Sequence, residues 1–480
     1  MNKKLIFKIL GIILGIEGVF LLIPFVIALV CRENAAAFGV TALLCLAVGL
    51  PLSRMRTAKT RLQNRDGFVC VALCWVVLSV FGALPYFLSH AVPTYIDALF
   101  ETASGFTTTG ASVFASVEPL DRSLLFWRSL TQWLGGMGVL VLLLALLPKL
   151  GEGSVNLMKA ESPGPISSKL LPRTNDTAKM LYSIYILLTA ALTLLLRLAG
   201  LPWFDAVNTA LTTISTGGFS VRDASISYYA SGAVNWILIF FMFLSSINFS
   251  LLFMLVTRRA REALRSEELR VYIGIVFGST ALIAADLVIK TGLDVYHAIE
   301  QAAFQVTTII STTGFYTEDY DLWPHFCRSI LLLVMFVGGC AGSTAGGVKV
   351  SRILLLFKGL RRELRRILHT REVRPITLDG QRVEEDTISA VSAFFFSYVV
   401  ILLLCTTVVS LDEVNLATSL SATMTSISNV GPALSLAGPT RNFAFFSPLS
   451  KLALSFTMLL GRLEIMPLLV LFLPSVWQRK

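Results

Sequence analysis

The chain has 480 residues, of which 55% are hydrophobic and only 15% charged, with a net charge of +10. A water-soluble protein this apolar would expose large adhesive patches, so the composition excludes a soluble globular protein and indicates an integral membrane protein. A surplus of basic residues can signal nucleic-acid binding, but here its placement along the chain gives it another meaning.

Apolar runs of about 20 residues, enough to cross a bilayer, lie near 5–30, 35–52, 67–89, 127–148, 179–200, 233–257, 269–291, 328–357, 387–410 and 449–475. Ten helical spans are expected, since barrel strands would be about half that length. The first run follows Lys3-Lys4 and is trailed by Ala35-Ala36-Ala37, which imitates a cleavage site. It is longer than the roughly 7–15 residues of a signal-peptide core and is read as an uncleaved first helix. Basic residues cluster after the second span (Arg54, Arg56, Lys59, Arg61, Arg65), after the sixth (Arg258, Arg259, Arg261, Arg265, Arg270) and after the eighth (Lys358, Arg361, Arg362, Arg365, Arg366, Arg371, Arg374). The alternate loops carry acids instead: Asp97, Glu101, Asp205, Asp294, Glu300, Glu318, Asp319, Asp321, Asp412 and Glu413. This is the positive-inside pattern for an even number of spans. Both termini are expected in the cytoplasm, and no nucleic acid is expected as a partner. The seven cysteines fall mostly inside spans without metal-ligand spacing and are read as small apolar residues.

Four stretches end alike: FTTTGA at Gly110, ISTGGF at Gly218, ISTTGF at Gly314 and ISNVGP at Gly431, spaced by 108, 96 and 117 residues. Three positions before each glycine stands Thr107, Ser215, Ser311 or Ser428, and six before stands Ser104, Thr212, Thr308 or Thr425. A repeat of this kind dictates architecture. Each unit reads as an outer span, a short apolar segment, the glycine motif and a second span. The expected boundaries are 1–66 for two extra N-terminal helices, then 67–150, 151–258, 259–358 and 359–480 for four units. The short segments, Tyr95–Phe106, Trp203–Ile214, Tyr296–Ile310 and Val414–Ile427, are too short to span at about 1.5 Å per residue. They are expected to be re-entrant helices entering from outside. Irregular backbone at membrane depth must be buried or line a water-filled cavity, and four such loops around one axis meet that condition together.

A dehydrated potassium ion needs several oxygen ligands at once, and inward-pointing backbone carbonyls supply them. Glycine permits the dihedrals this requires. The expected ion ligands are Thr108, Thr109 and Gly110; Thr216, Gly217 and Gly218; Thr312, Thr313 and Gly314; and Asn429, Val430 and Gly431. The C-terminal dipole of each short helix would add to the attraction for a cation. Small residues that merely pack membrane helices are the alternative for any one loop, but four loops in register disfavour it.

On these motifs the chain resembles the TrkH-type membrane subunits of the Trk/Ktr/HKT superfamily of potassium transporters. Gly461-Arg462-Leu463-Glu464 in the last span and the glycine-rich run Gly338–Gly347 also carry the likeness. The resemblance implies an all-α fold of four helix–pore loop–helix units in pseudo-fourfold arrangement, potassium as the transported ion, a homodimer in the inner membrane and a cytosolic nucleotide-binding ring of the TrkA type. The fourth loop departs from the pattern, with Asn429-Val430-Gly431-Pro432 where the third has Thr-Thr-Gly-Phe.

Arg462 lies in an apolar run, where an arginine costs about 2.5–3.5 kcal/mol at the helix centre. It is placed beneath the filter as a pore residue, with an ion pair to Glu464 as the alternative. Gly338, Gly339, Gly342, Gly346 and Gly347, followed by Lys349, make a continuous eighth helix improbable, each glycine costing about 1 kcal/mol relative to alanine. A broken helix is expected, and the resemblance implies a gate; close helix packing is the alternative. Gly135-Gly136-Met137-Gly138 in the fourth span is read as a packing surface, with a similar weak point in the helix as the alternative. The basic stretch Lys358–Arg374 suits anionic headgroups or a regulatory partner equally, so bilayer lipid joins the expected partners. A sodium-permeable or cation-coupled symporter is the competing transport reading, which a filter serine in place of a glycine would favour. An enzyme is disfavoured, because His90, His297, His325 and His369 are scattered without a nucleophile or acid cluster. A rocking carrier would show inverted repeats, and these four copies share one orientation.

Overall fold

The computed structural model describes residues 2–56, 64–138, 174–257, 260–369 and 375–474. The expected linker at 149–178 and the second half of the expected span 127–148 lie largely outside these residues, as do Arg258, Arg259, Arg371 and Arg374.

The chain opens with α1 (Lys3–Phe20) and α2 (Leu22–Cys31), two nearly continuous apolar helices, and returns as α3 (Ala36–Ser53). Close packing of α1 on α3 follows from two glycines. A methyl on Gly11 would lie 2.6 Å from the Ser53 nitrogen, and one on Gly49 would lie 2.9 Å from the Gly15 nitrogen. This is the small-residue backbone approach of membrane helices.

The rest follows one scheme four times. First come α4 (Asn64–Gly82), α5 (Leu84–Leu88), the short α6 (Tyr95–Phe106) and α7 (Arg122–Gly136). Next come α8 (Thr174–Leu198), the short α9 (Trp203–Ile214), α10 (Gly232–Ser245) and α11 (Phe249–Val256). After the one-turn α12 (Ala260–Ala263) come α13 (Glu267–Thr291), the short α14 (Val295–Ile310), α15 (His325–Val337) and α16 (Val350–Leu368). A small hairpin of β1 (Thr377–Leu378) and β2 (Gln381–Arg382) precedes α17 (Glu385–Val409), the short α18 (Leu416–Ser428), α19 (Pro448–Arg462) and α20 (Met466–Val470).

Among the described residues, six continuous stretches are long and apolar enough to cross a membrane: Lys3–Cys31, Ala36–Ser53, Arg65–Leu88, Asp176–Leu198, Glu267–Thr291 and Glu385–Asp412. They coincide with six of the ten expected spans. The other four are the helices that follow each glycine motif, and among the described residues none runs unbroken through its expected length. Helix α7 ends at Gly136; α10 and α11 meet at a bend of 106°; α15 and α16 are parted by the glycine-rich loop; α19 and α20 are parted at Leu463–Ile465. These helices share a position as well as a break. Each packs on the short helix of the following unit: α7 on α9, α10 on α14, α15 on α18, and α19 back on α6. The succession closes on itself in chain order.

Lipid-facing surface is plain from side chains such as Leu43, Leu187, Leu198, Phe277, Ile289 and Phe396, all of them exposed and apolar. The described helices and this surface are those of an all-α membrane protein.

Candidate functional site

The short helices α6, α9, α14 and α18 all end in the same turn. A backbone N–H reaches back five residues: Thr109 to the Ser104 carbonyl (2.9 Å), Gly217 to Thr212 (2.8 Å), Thr313 to Thr308 (2.8 Å) and Val430 to Thr425 (3.0 Å). Such helix-terminating bonds need a left-handed residue in between. That residue is Thr108, Thr216, Thr312 or Asn429, at φ of +56°, +57°, +57° and +55°. For a β-branched threonine this conformation is a genuine outlier, costing on the order of 1–3 kcal/mol, and such strain concentrates at functional sites. Asn429 adopts it more readily than threonine, so the departure of the fourth loop preserves the backbone path.

The glycines then turn the chain outward at φ of +83° (Gly110), +76° (Gly218), +83° (Gly314) and +102° (Gly431). A methyl group on Gly110 would collide with the Gly217 carbonyl oxygen. One on Gly218 would meet that of Thr313, one on Gly314 that of Val430, and one on Gly431 that of Thr109. Each glycine faces the peptide before the glycine of the next loop, and the fourth faces the first. All twelve expected ligand residues thus lie in one closed ring of backbone.

Outer loops interlock in the same order. Asp223 accepts from Ser116 Oγ and Val117 N, and Tyr316 Oη donates to the Asp223 carbonyl. Asp321 accepts from Ser435 N, and Phe443 N donates to the Ser112 carbonyl.

Side chains around the ring brace it. Asn429 Nδ2 donates to Thr109 Oγ1 and to the Met458 carbonyl, each at 2.9 Å. Thr312 Oγ1 accepts from Gly346 N at 2.8 Å, while Thr108 and Thr216 donate to the preceding carbonyls. Three braces escaped sequence reasoning. Gln132, from α7, donates to the Gly217 carbonyl (2.7 Å) and accepts from Phe219 N (3.0 Å), gripping the second loop on both sides of Gly218. Fully buried Glu101 pairs with Arg128 at 2.8 Å and accepts from Val113 N at 3.0 Å. Asp97 on α6 pairs with Lys451 on α19 at 2.6 Å, joining first and fourth units. Sequence reading counts Asp97 and Glu101 as loop acids, yet both are buried in α6. Polar residues inside apolar runs were the signal available.

Beneath the ring lies the loop from Gly338 to Lys349. The expected break in the eighth span is present, and the loop touches the second, third and fourth units. Cys340 N donates to the Ser246 carbonyl (2.9 Å), and Thr344 Oγ1 to those of Ile214 and Ser245. A methyl on Gly346 would strike the Ser428 carbonyl, and one on Gly338 would strike Gly346 itself. Gly347 packs on Gly338, Gly339 on Ala345, and Gly342 faces the Asn248 side chain. Lys349 turns its ammonium inward onto the Ala345 carbonyl. Close packing and a broken helix, posed as alternatives, are both realised in this loop.

Arg462 donates to the Thr344 carbonyl (2.8 Å) and to those of Gly135 and Gly136. It therefore fastens the loop to the end of α7. Glu464, the alternative partner of Arg462, pairs with Arg352. The Gly135–Gly138 run is packed, as expected: a methyl on Gly135 would collide with the Phe106 carbonyl, and one on Gly136 would lie 2.7 Å from Ser215 Cβ. It is also where α7 stops.

The arrangement has its counterpart among known proteins. Residues 33–479 match the TrkH family, described as a cation transport protein. The chain is similar to the Trk system potassium uptake protein TrkH of Escherichia coli (strain K12), 39% identical over 487 residues and covering 100% of both chains. It is 37% identical to the TrkH of Halomonas elongata over 489 residues, again over 100% of each chain. Its identity to the Trk system potassium uptake protein TrkG of Escherichia coli (strain K12) is 33%, over 99% of each. The crystal structure of the potassium transporter TrkH from Vibrio parahaemolyticus superposes with a TM-score of 0.89 at 35% identity over 100% of both chains. With an all-α membrane fold and a family match spanning nearly its whole length, the chain belongs to the TrkH family of cation transport proteins and is a transporter, not an enzyme.

Proposed function

We propose that this chain takes up potassium through a channel-like pore along the axis of the four loops. The single observation that carries the reading is the closed ring: four glycine-bearing turns of one conformation, each facing the next. A ring of backbone can replace an ion's hydration shell on all sides at once, which a single loop cannot. In this reading the ligands come from the residues of the ring, Thr108 to Gly110, Thr216 to Gly218, Thr312 to Gly314 and Asn429 to Gly431. The relatives named for potassium uptake support potassium as the cargo.

The loop from Gly338 to Lys349 serves as the gate, because it lies under the ring, contacts the second, third and fourth units and is tied to the first through Arg462. Arg462 sets its position and adds a positive charge to the barrier. The units run 67–150, 151–258, 259–358 and 359–480, with 1–66 as a flanking pair of helices. Both termini face the cytoplasm and the protein sits in the inner membrane as a homodimer, with bilayer lipid around it. The linkers 149–178, 258–268 and 358–386 are shorter than the roughly 50 residues of a small domain, so regulation comes from a separate cytosolic nucleotide-binding ring of the TrkA type. Uptake needs no coupled ion: about 2.3 kcal/mol per charge per 100 mV sustains an inward gradient of roughly 50-fold.

Flux of potassium, rubidium, sodium and caesium into vesicles holding the purified protein tests this. Potassium and rubidium should pass well ahead of sodium. Sodium passing as fast as potassium, or potassium entry that stops without a proton or sodium gradient, would replace it with the sodium-permeable or cation-coupled reading.

A further inference from the structure

The glycine-rich loop has two ends, and one side chain holds both. Glu268 lies in the first turn of α13 and is 8% exposed. Its Oε1 accepts from Ala341 N at 2.7 Å and from Ser351 N at 3.1 Å. Ala341 belongs to the descending part of the loop; Ser351 belongs to the first turn of α16. The residue at the cap of that helix, Lys349, makes no side-chain capping bond of its own and stands at φ +79°. An unmet helix N-terminus attracts a carboxylate, and here a different helix supplies it. Charge-assisted bonds of this kind are roughly twice as strong as neutral ones.

The carboxylate is itself well anchored. Next to it, Glu267 pairs with Lys358 of α16, and its Oε1 accepts from Asp379 N at 3.2 Å. Glu267 N in turn donates to Asp379 Oδ1 at 2.6 Å, at the turn of the small hairpin. The first turn of α13 is thus tied to α16 and to the hairpin, which fixes the Glu268 oxygen at the point where the loop begins and ends.

We propose that Glu268 is a positioning residue that latches the loop in its closed place beneath the filter. Swinging the loop aside moves Ala341 relative to Ser351, and neither can move while one oxygen binds both. Release of that oxygen is therefore a step in opening. This rests on the reading of the loop as the gate.

The test compares rubidium influx into vesicles containing the full-length wild type, Glu268→Ala, Glu268→Gln and a deletion of Gly342–Gly346, each first shown to be monodisperse. No partner protein is added. Glu268→Ala should raise influx at least fivefold towards the deletion value. Glu268→Gln keeps an acceptor without the charge and should fall between, about two- to threefold above wild type; it decides the matter alone if the alanine variant does not fold. Both should keep the wild-type preference for potassium over sodium, which a general loosening of the core would lower. Influx at or below wild type in the point variants, with the deletion still raised, overturns the latch and leaves the gate. Wild-type influx in all of them overturns the gate as well.

Discussion

At Arg462 a guanidinium at membrane depth donates to the backbone carbonyls of Thr344, Gly135 and Gly136 and lies over the Trp75 ring. Its donors hold two separate elements together, the glycine-rich loop and the end of α7. Arg462→Ala should give a monodisperse protein with changed cation influx, at least threefold from wild type; an unchanged influx would reduce the residue to a packing role. Arg128 contrasts with it. There the charge is matched by Glu101 at 2.8 Å, so Arg128→Ala leaves a buried carboxylate unpaired, at a cost of about 3–5 kcal/mol. A large drop in thermal stability in detergent is expected, with recovery in the double variant Arg128→Met with Glu101→Gln. Equal melting of wild type and Arg128→Ala would contradict the pairing's role. The sequence made Arg462 legible because it stands in the middle of an apolar run. The Glu101–Arg128 pair was not legible, because its partners are 27 residues apart on two helices, and Glu101 reads as an ordinary loop acid.

Among the elements, the short helices were legible almost residue by residue. Tyr95–Phe106 and Trp203–Ile214 match the expected limits, and Val295–Ile310 and Leu416–Ser428 differ by one or two residues. The reason is local: the helix-ending turn is written into the hydroxyl-rich stretch before each glycine. Breaks in the following helices were legible only at Gly338–Gly347, where composition forbids a helix. The bend at Ser246–Asn248 and the interruption at Leu463–Ile465 occur in sequences a helix would accept. There tertiary contacts decide, as where Ser246 gives its carbonyl to Cys340 of the loop. Deleting Gly342–Gly346 should raise influx several-fold if the loop obstructs the pore, whereas unchanged influx in a well-folded deletion would leave it a packing device. Glycines outside the ring sort by space. Gly135→Ala drives a methyl into the Phe106 carbonyl and should destabilise by about 1–3 kcal/mol or more. A methyl on Gly274 meets nothing within 4 Å, so Gly274→Ala should melt no lower than wild type. Melting curves in detergent check the pair, and similar losses at both positions would contradict the packing argument.

In the whole molecule, the four glycine-bearing turns close into one ring, and on the proposed function potassium selectivity is a property of that closure. Widening, tilting or blocking one quarter removes the symmetric cage a large dehydrated ion needs, while a smaller ion tolerates asymmetry. The most direct measurement is the ratio of potassium to sodium influx for Gly110→Ser, Gly218→Ser, Gly314→Ser and Gly431→Ser in vesicles, with Gly274→Ser as control. All four glycines stand at positive φ with a carbonyl of the next loop in the way of a side chain. Each substitution should lower the ratio by about tenfold or more, roughly 1.4 kcal/mol, and the control should keep the wild-type ratio. A wild-type ratio in any of the four well-folded variants would mean that its loop is not part of a common filter.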